Sequence, residues 1–247
     1  MKTIIINGGT KGVGKEIVLA CLNIGYNVVF GGRDEIAAEK ILKSANSDNC
    51  HFVKIDNLNI NLLKNMFAFA IDKYSQVDGY VHYAGITPVS GIANCDEETY
   101  DDVFDINLKS AVFCTQFAIK HMQKNSGGSI IYFGSAHMDY GQIDRTAYAI
   151  TKGALNILSS HIAHHYAKDQ IRSNYIVMGW TNTDGEIELR ESQGISQADL
   201  QKEASKIIPM GRMLNVYNPI PTVLHFLSDD SSMITGSVVR ITGGEFI

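Results

Sequence analysis

The chain has 247 residues, 45% of them apolar and 19% charged, which is the size and composition of one packed domain rather than of a disordered or Pro-rich chain. Its 21 Lys+Arg against 26 Asp+Glu give a net charge of -5, so no nucleic-acid partner is expected. The longest apolar runs have six residues, and a membrane helix needs roughly 20. With no recognisable secretory leader, we expect one cytoplasmic domain over 1–247 and no membrane partner.

Seven short apolar runs alternate with longer helical patterns. The runs are 3–6, 27–30, 52–55, 79–83, 129–133, 174–177 and 238–241. Most are continuously apolar, which is typical of strands covered on both faces in a parallel sheet. This order predicts an α/β fold, a Rossmann-type doubly wound parallel sheet of seven strands with helices on both faces. Ligands are expected beyond the carboxyl ends of the strands.

A glycine-rich turn joins the first predicted strand to a helix in which apolar residues recur at 13, 17, 21 and 24. Glycine permits a tight turn and lets a phosphate approach main-chain amides at the helix N-terminus. An ordinary βα turn is the alternative, but the position after the first strand favours a nucleotide. The predicted cofactor-binding residues of this turn are Gly8, Thr10, Lys11, Gly12, Val13 and Gly14.

The residues after the second predicted strand indicate which dinucleotide binds. An acid there would bind the ribose 2'-hydroxyl, whereas an arginine would accommodate a 2'-phosphate. Here two glycines are followed by Arg33, and Lys11 adds a second cation, so NADP (NADPH) is favoured over NAD. The alternative is that Arg33 only pairs with Asp34 or Glu35 at the surface.

Asp56 and Asn57 follow the third predicted strand and are also assigned to cofactor binding. Asp56 could face the adenine amino group, although an aspartate that opens a loop is more often simply a cap.

Tyr148 and Lys152 lie four residues apart in a helical pattern, so their side chains share one face. Ser135 ends a predicted strand thirteen residues before Tyr148. An ammonium at roughly 4 Å supplies about 4 kcal/mol, which is about what lowering a tyrosine pKa from 10 to 7 requires. We therefore predict Tyr148 as the acid/base, Ser135 as the donor that polarises a carbonyl, and Lys152 as the group that lowers the Tyr148 pKa. The alternative is a half-buried aromatic beside a solvated charge.

The strand-end serine and the Tyr-x-x-x-Lys pattern, in one chain with the glycine turn, resemble the short-chain dehydrogenase/reductase family from Lys2 to the Ile-Thr-Gly-Gly at 241–244. The resemblance implies hydride transfer between a nicotinamide and a carbonyl or secondary alcohol. It also implies that Asn107 supports a proton relay to Lys152, and it implies a homodimer or homotetramer. Further cofactor contacts implied by the resemblance are Ala84, Gly85, Tyr148, Lys152, Gly179, Thr181 and Thr183, with Thr183 at the nicotinamide carboxamide.

The chain departs from the family pattern in two places. The usual Asn-Asn-Ala-Gly reads His-Tyr-Ala-Gly at 82–85, and Met178 replaces a proline before Gly179. Tyr83 therefore lacks the amide side chain that would tie neighbouring strands together.

The substrate is indicated only by a charged stretch over 182–209, which we interpret as a lid. Its first half is acidic through Asp184, Glu186, Glu188 and Glu191. This favours a small free carbonyl or alcohol, such as a sugar, polyol or other metabolite. Reduction of 3-oxoacyl chains on an acyl carrier protein ranks second, because Lys124 and Lys168 are the only rim cations for an acidic partner. A catalytically silent dinucleotide-binding sensor or scaffold is the alternative from another class.

No metal is expected. His161, His164 and His165 share a helix face without a carboxylate or cysteine to complete a ligand set, and the four cysteines have neither zinc nor disulfide spacing.

Overall fold

The computed structural model describes residues 1–245, apart from the side chains of Tyr140 and Leu189. Within that range seven parallel strands form one sheet in the order β3-β2-β1-β4-β5-β6-β7. They are β1 Thr3–Asn7, β2 Asn27–Gly32, β3 Cys50–Lys54, β4 Gly79–His82, β5 Gly128–Ser135, β6 Ile171–Met178 and β7 Val238–Ile241. The predicted doubly wound α/β fold is confirmed, and the strand order reverses between β1 and β4.

Helices cover both faces of this sheet. They are α1 Gly12–Asn23, α2 Glu35–Ala45, α3 Ile60–Tyr74, α4 Glu97–Phe104, α5 Ser110–Met122, α6 His137–Tyr140, α7 Thr146–His165, α8 Asp184–Ser192, α9 Gln197–Ile207 and α10 Ile220–Leu227. A π-helical turn, Asp105–Lys109, joins α4 to α5. No helix in the described part of the chain is both long and apolar enough to cross a bilayer.

The continuous apolar runs of the central strands exist because these strands pack against a core on either side of the sheet. In β1, Ile5 lies in a core formed with α3, α5 and α7. Ile4 and Ile6 point to the opposite face and pack with α1, α2 and α10. Successive side chains of a strand point to opposite faces of the sheet. A strand that is buried on both faces is therefore mostly apolar instead of alternating between apolar and polar residues.

Several strands differ in length from their predicted runs. β2 continues for two residues to Gly32, and β6 begins three residues earlier at Ile171. The polar residues Arg172 and Ser173 hid the start of β6, although the structure buries Ser173 completely. The result is that β5 and β6 run side by side as far as the pair Ser135 and Met178.

Substitution of Gly134 tests how tightly the end of β5 is packed. A methyl group at this position would overlap the buried hydroxyl of Tyr175, which donates to the Lys152 carbonyl oxygen at 2.7 Å. Overpacking of this kind costs about 1–3 kcal/mol, so Gly134→Ala should lower the free energy of unfolding in urea by about that amount. The control is Gly153→Ala, since nothing lies within 4 Å of an added Cβ at that α7 position. Equal stability of the two variants would contradict the packing described here.

Candidate active site

A cavity of about 910 Å³ opens beyond the carboxyl ends of β4, β5 and β6. The structure brings many of the predicted site residues into its wall: Ser135, Tyr148, Lys152, Gly85, Gly179, Thr181 and Thr183. Ser135 is the last residue of β5, and α7 carries Tyr148 and Lys152. Pairing of β5 with β6 and packing of α7 against both strands explain why residues 13 and 17 positions apart meet here.

Ser135 and Tyr148 each contribute a hydroxyl group to this wall. The Ser135 Oγ accepts a hydrogen bond from the His137 main-chain N–H at 3.3 Å. Burial raises the pKa of the Tyr148 phenol, whereas Ser135 and the positive charge of Arg145 act in the opposite direction. Burial has the larger effect, so Tyr148 stays protonated at neutral pH.

Lys152 is only 5% exposed, and its Nζ donates to the Phe133 carbonyl oxygen at 2.9 Å. Burial lowers the pKa of this ammonium to about 8. The Nζ lies over the face of the Tyr148 ring, 5.4 Å from its centroid. Burial, Ser135 and Arg145 account for the shift of the Tyr148 pKa in this structure, so the expectation that Lys152 lowers that pKa beside an oxidised nicotinamide stays a prediction.

Asn107 lies in the π-helical turn and not within a regular helix. Its Oδ1 accepts from the Ile86 N–H at 2.7 Å, and its Nδ2 donates to the Ile86 carbonyl at 2.9 Å and to Thr151 Oγ1 at 3.2 Å. A Cβ on Gly85 would lie 3.2 Å from Asn107 Oδ1 and 3.6 Å from Lys152 Nζ. Asn107 therefore fixes the segment after β4 beside Lys152.

The glycine turn leaves the start of α1 open to a ligand. Helix α1 begins at Gly12, and its N-cap, Lys11, makes no side-chain capping bond. Such first-turn amides favour an anion. Gly8 adopts a φ of +91° and packs against the Ala84 main chain, which requires glycine there. Val13 is buried in the core, so only its main chain can reach a ligand.

The charged groups beside this turn do not form the ion pairs of Arg33 with Asp34 or Glu35 that were the alternative to phosphate binding. Lys11 Nζ lies 2.9 Å from Asp34 Oδ2, and Glu35 pairs with Lys54. Among the ion pairs of residues 1–245, none involves the exposed Arg33. Both carboxylates that could have paired with Arg33 are taken by lysines.

Thr10 and the residues after β3 complete this edge of the sheet. A Cβ on Gly32 would meet the Thr10 Cγ2 at 2.6 Å, so Thr10 covers the tip of β2. Asp56 accepts from the Leu58 N–H at 3.0 Å within the turn before α3, and the N-cap of that helix is Asn59 rather than Asp56. Asn57 Oδ1 accepts from Asn7 Nδ2 at 2.8 Å and is thereby tied to the end of β1.

The two departures from the family pattern are accommodated by packing. The Tyr83 ring meets Phe133 edge to face with the centroids 5.1 Å apart, so the aromatic pair links the ends of β4 and β5. This contact joins the strand ends without the amide side chain that Tyr83 lacks. Met178 is buried at the end of β6, and its carbonyl accepts from the Ala136 N–H at 3.0 Å.

Between the ends of β6 and α8, Thr181 and Thr183 shape the cavity floor. Thr181 Oγ1 donates to the Gly179 carbonyl at 3.0 Å, and Thr183 caps α8 by accepting from the Glu186 N–H at 3.2 Å. A Cβ on Gly12 would lie 3.5 Å from Thr183 Cγ2, so this floor adjoins the glycine turn.

Sequence reasoning missed a polar cluster that connects the lid segment with the chain's last described residues. Glu186 Oε1 accepts from Trp180 Nε1 and from Arg190 Nε, both at 2.8 Å. Buried Glu245 accepts from the Trp180 main-chain N–H at 2.9 Å. The single tryptophan, two residues after β6, was the available signal.

The acidic character predicted for the lid is only partly present at the cavity. The segment 182–209 forms α8 and α9. Glu186 is the one of the four predicted acids that lines the cavity, and Arg190 neutralises it. The other three, Asp184, Glu188 and Glu191, are exposed. His137 and Arg145 also line the cavity and were not predicted.

Lys124 and Lys168 do not lie at the cavity rim of this chain. They precede the first residues of β5 and β6, whereas the cavity lies beyond the last ones. The eight residues of β5 span seven intervals of roughly 3.3 Å, which separate the two edges by about 23 Å. The error arose because parallel strands place consecutive loops at opposite edges of the sheet.

The three clustered histidines lie together on α7. Ring centroids are 4.3 Å apart for His161 and His165 and 4.9 Å apart for His164 and His165. Within the described residues, no group of three His, Cys, Asp or Glu side chains has an arrangement that could hold a metal ion.

Comparison with known proteins gives the class. The family model described as enoyl-(acyl carrier protein) reductase, a short-chain dehydrogenase model, matches residues 8–245. The chain therefore belongs to the short-chain dehydrogenase/reductase family, whose members are NAD(P)-dependent oxidoreductases. This membership supports an enzyme over a catalytically silent binding protein.

Named relatives span nearly the whole chain. It is 28% identical over 248 residues to the 3-oxoacyl-(acyl-carrier-protein) reductase FabG of Thermotoga maritima, covering 98% of this chain and 97% of that one. It is 29% identical over 267 residues to the 3beta-hydroxysteroid dehydrogenase of Mediterraneibacter gnavus, covering 98% and 94%. Among solved structures, an actinorhodin polyketide ketoreductase with NADPH aligns with a TM-score of 0.93 at 20% identity, covering 99% and 97%. This last likeness shows the shared fold.

Burial of Lys152 predicts a stability that rises with pH. The folded-state pKa of about 8 lies below the ordinary value of 10.5, so the unfolded chain binds more protons between these values. The cost of burying the charge is thus fully present below pH 8 and is relieved as the pH rises toward 10.5. Between about pH 7 and pH 9.5, the wild type should gain about 2 kcal/mol of unfolding free energy relative to Lys152→Met. Urea unfolding of both proteins without coenzyme measures this, and parallel pH profiles would contradict the assignment.

Proposed function

We propose that the chain is an NADP(H)-dependent oxidoreductase that interconverts a carbonyl and a secondary alcohol on a small free metabolite, with Tyr148 as the acid/base. The observation that carries this proposal is the shared cavity wall in which Ser135, Tyr148 and the buried Lys152 meet beside the glycine turn. A protonated phenol, a hydroxyl donor and an ammonium within one cavity are the groups that a carbonyl oxygen needs as it gains charge.

The residues of the site fit a nicotinamide dinucleotide. A lysine ammonium has three donors, and within the described chain Lys152 uses one of them, on the Phe133 carbonyl. Unsatisfied buried donors are costly, so ribose hydroxyls are suitable partners for the other two. The open N-terminus of α1 suits the pyrophosphate, and Gly179, Thr181 and Thr183 lie between this turn and the catalytic wall. When bound, the nicotinamide supplies the hydride.

Each catalytic side chain then has one task. Tyr148 Oη gives its proton to the carbonyl oxygen. Ser135 Oγ already accepts from the His137 N–H, which leaves its hydroxyl hydrogen free to donate to that same oxygen. Lys152, with its pKa of about 8, can return a proton to Tyr148 near neutral pH. The side-chain atoms of Asn107 are occupied by Ile86 and Thr151, so Asn107 positions the wall beside Lys152.

The charges at the tip of β2 support NADP over NAD. Arg33 is exposed and unpaired by any carboxylate among the described residues, so its guanidinium is free for a 2'-phosphate. Lys11 stands in the glycine turn and can exchange Asp34 for the phosphate, because their ion pair is solvent-exposed and weak. Asp56 and Asn57 face the same edge from β3, where the adenine would lie.

The relatives named FabG make 3-oxoacyl-(acyl-carrier-protein) reduction the second candidate. An acidic carrier protein needs cations at the cavity mouth. The cavity-lining arginines Arg145 and Arg190 are paired with Asp144 and Glu186, and Lys124 and Lys168 lie at the far edge of this chain. We therefore rank a small free substrate first.

Replacing the Tyr148 hydroxyl tests the proposed function. With NADPH and small free ketones, Tyr148→Phe should lose at least about 100-fold in kcat, the lower range for a positioned acid/base. NADPH binding by fluorescence titration should persist, because the ring remains. The matched control is Tyr217→Phe, since Tyr217 is exposed and outside the cavity. Normal turnover by Tyr148→Phe would remove the assignment, and turnover of an acetoacetyl-carrier protein with little on free ketones would favour the second candidate.

Removal of the free guanidinium tests the cofactor preference. Hydrogen bonds to a charged group are worth about 1.5–3 kcal/mol, so Arg33→Ala should raise the Kd of NADPH by about 10-fold or more. The Kd of NADH, which has no 2'-phosphate, should stay within about 2-fold and acts as the internal control. Equal weakening of both coenzymes would mean that Arg33 does not contact the 2'-phosphate.

A further inference from the structure

His137 is a half-buried side chain of the cavity wall that the proposed mechanism does not use. It lies two residues after Ser135, and its main-chain N–H bonds to the Ser135 Oγ. Its ring meets the Tyr148 ring edge to face, with the centroids 6.1 Å apart and an interplanar angle of 71°. His137 therefore contacts Ser135 through its main chain and Tyr148 through its ring, next to the two residues that are assigned to hold a carbonyl oxygen.

The polar atoms of this imidazole indicate what it can offer. Its Nδ1 is sealed from solvent and has no hydrogen-bond partner in the structure. An orphaned acceptor nitrogen costs less than an orphaned N–H, so the proton belongs on Nε2. His137 lines the cavity and Nε2 is not among its sealed polar atoms, so Nε2 is the ring nitrogen that can donate to a ligand there. Burial and the nearby Arg145 lower the pKa of His137, with Asp144 opposing them, so the ring is neutral at neutral pH.

We propose that His137 is a specificity-determining residue whose Nε2–H donates to an oxygen on the carbon next to the reacting carbonyl. The inference rests on the proposed function and names its substrate class: α-hydroxy ketones, with vicinal diols in the reverse direction. A substrate oxygen held between Ser135 and Tyr148 places its neighbouring carbon against this ring. A plain ketone leaves the Nε2–H without a partner, and a site built to bond a hydroxyl discriminates strongly against the analogue that lacks it.

The charges of the cavity favour a neutral hydroxyl over a carboxylate at that position. Arg145 is paired with Asp144 at 3.1 Å, and Arg190 with Glu186 at 2.8 Å. Glu203 and Glu245 add further acids to the wall. An anionic substituent would meet this acidic surface without a free cation beyond the catalytic Lys152.

Three substrates and three variants test the inference. We would measure kcat/KM with NADPH for 3-hydroxy-2-butanone, 2-butanone and 2-oxobutanoate. The wild type should favour the hydroxy ketone over 2-butanone by about 10-fold or more, the worth of one good hydrogen bond. His137→Phe should bring this ratio within about 2-fold of unity, while His137→Gln, which keeps an N–H donor, should retain part of it. His225→Phe, at an exposed α10 position outside the cavity, should keep the wild-type ratio.

The outcomes distinguish a failure of the role of His137 or of the substrate class from a failure of the proposed function. An unchanged ratio in His137→Phe, with its fold and NADPH binding intact, overturns the role of His137 and leaves the proposed function standing. A wild type that prefers 2-butanone or 2-oxobutanoate overturns the substrate class. A wild type that reduces none of the three with NADPH or NADH overturns the proposed function and this inference with it.

Discussion

The hydrogen bond from the buried Lys152 ammonium to the Phe133 carbonyl is the interaction on which the site depends. A lysine that is only 5% exposed is expensive, and the sheet supplies the compensation. β4 ends at His82, opposite Tyr132, so the next residue of β5 has no β4 partner and its carbonyl is available at the edge. Helix α7 is held over that edge by the Tyr175 hydroxyl, which bonds to the Lys152 carbonyl. One strand that stops early thus creates the acceptor that makes a buried charge tolerable.

The same edge explains why the cavity wall is polar although the core beneath it is apolar. Strands β5 and β6 end at the paired residues Ser135 and Met178, whereas β4 ends three residues before that level. The loops after β4 and β6 supply Gly85 and Gly179 to the wall, and the end of β5 supplies Ser135. Asn107 binds the loop after β4 through Ile86, and Glu245 binds the loop after β6 through the Trp180 N–H. Both loops are fastened by a side chain from elsewhere in the chain. Fastening of this kind preorganises donors so that little rearrangement is needed at the moment of reaction.

Features that depend on local periodicity or on the spacing of residues were predictable from the sequence. The seven strands, the glycine turn before α1, and the meeting of Ser135 with Tyr148 and Lys152 all follow from short patterns and the geometry of parallel sheets. Contacts that depend on which distant side chain competes for a partner were not predictable. From the sequence, Asp34 could form an ion pair with Arg33 or with Lys11. The structure shows the pair with Lys11. The π-helical turn around Asn107 has no sequence signature of its own. The role inferred for His137 depends on the packing of its ring against Tyr148, which the sequence does not show.

Burial acts in opposite directions on the two titrating groups of the catalytic wall. It penalises the charged form of each, so the pKa of Lys152 falls to about 8 while the pKa of Tyr148 rises above its ordinary value. In this state the Lys152 ammonium is therefore a stronger acid than the phenol, and the shared proton resides on Tyr148 at neutral pH. A phenol in that form can donate to a carbonyl oxygen at once, whereas it can accept a proton from an alcohol only after its own proton has left.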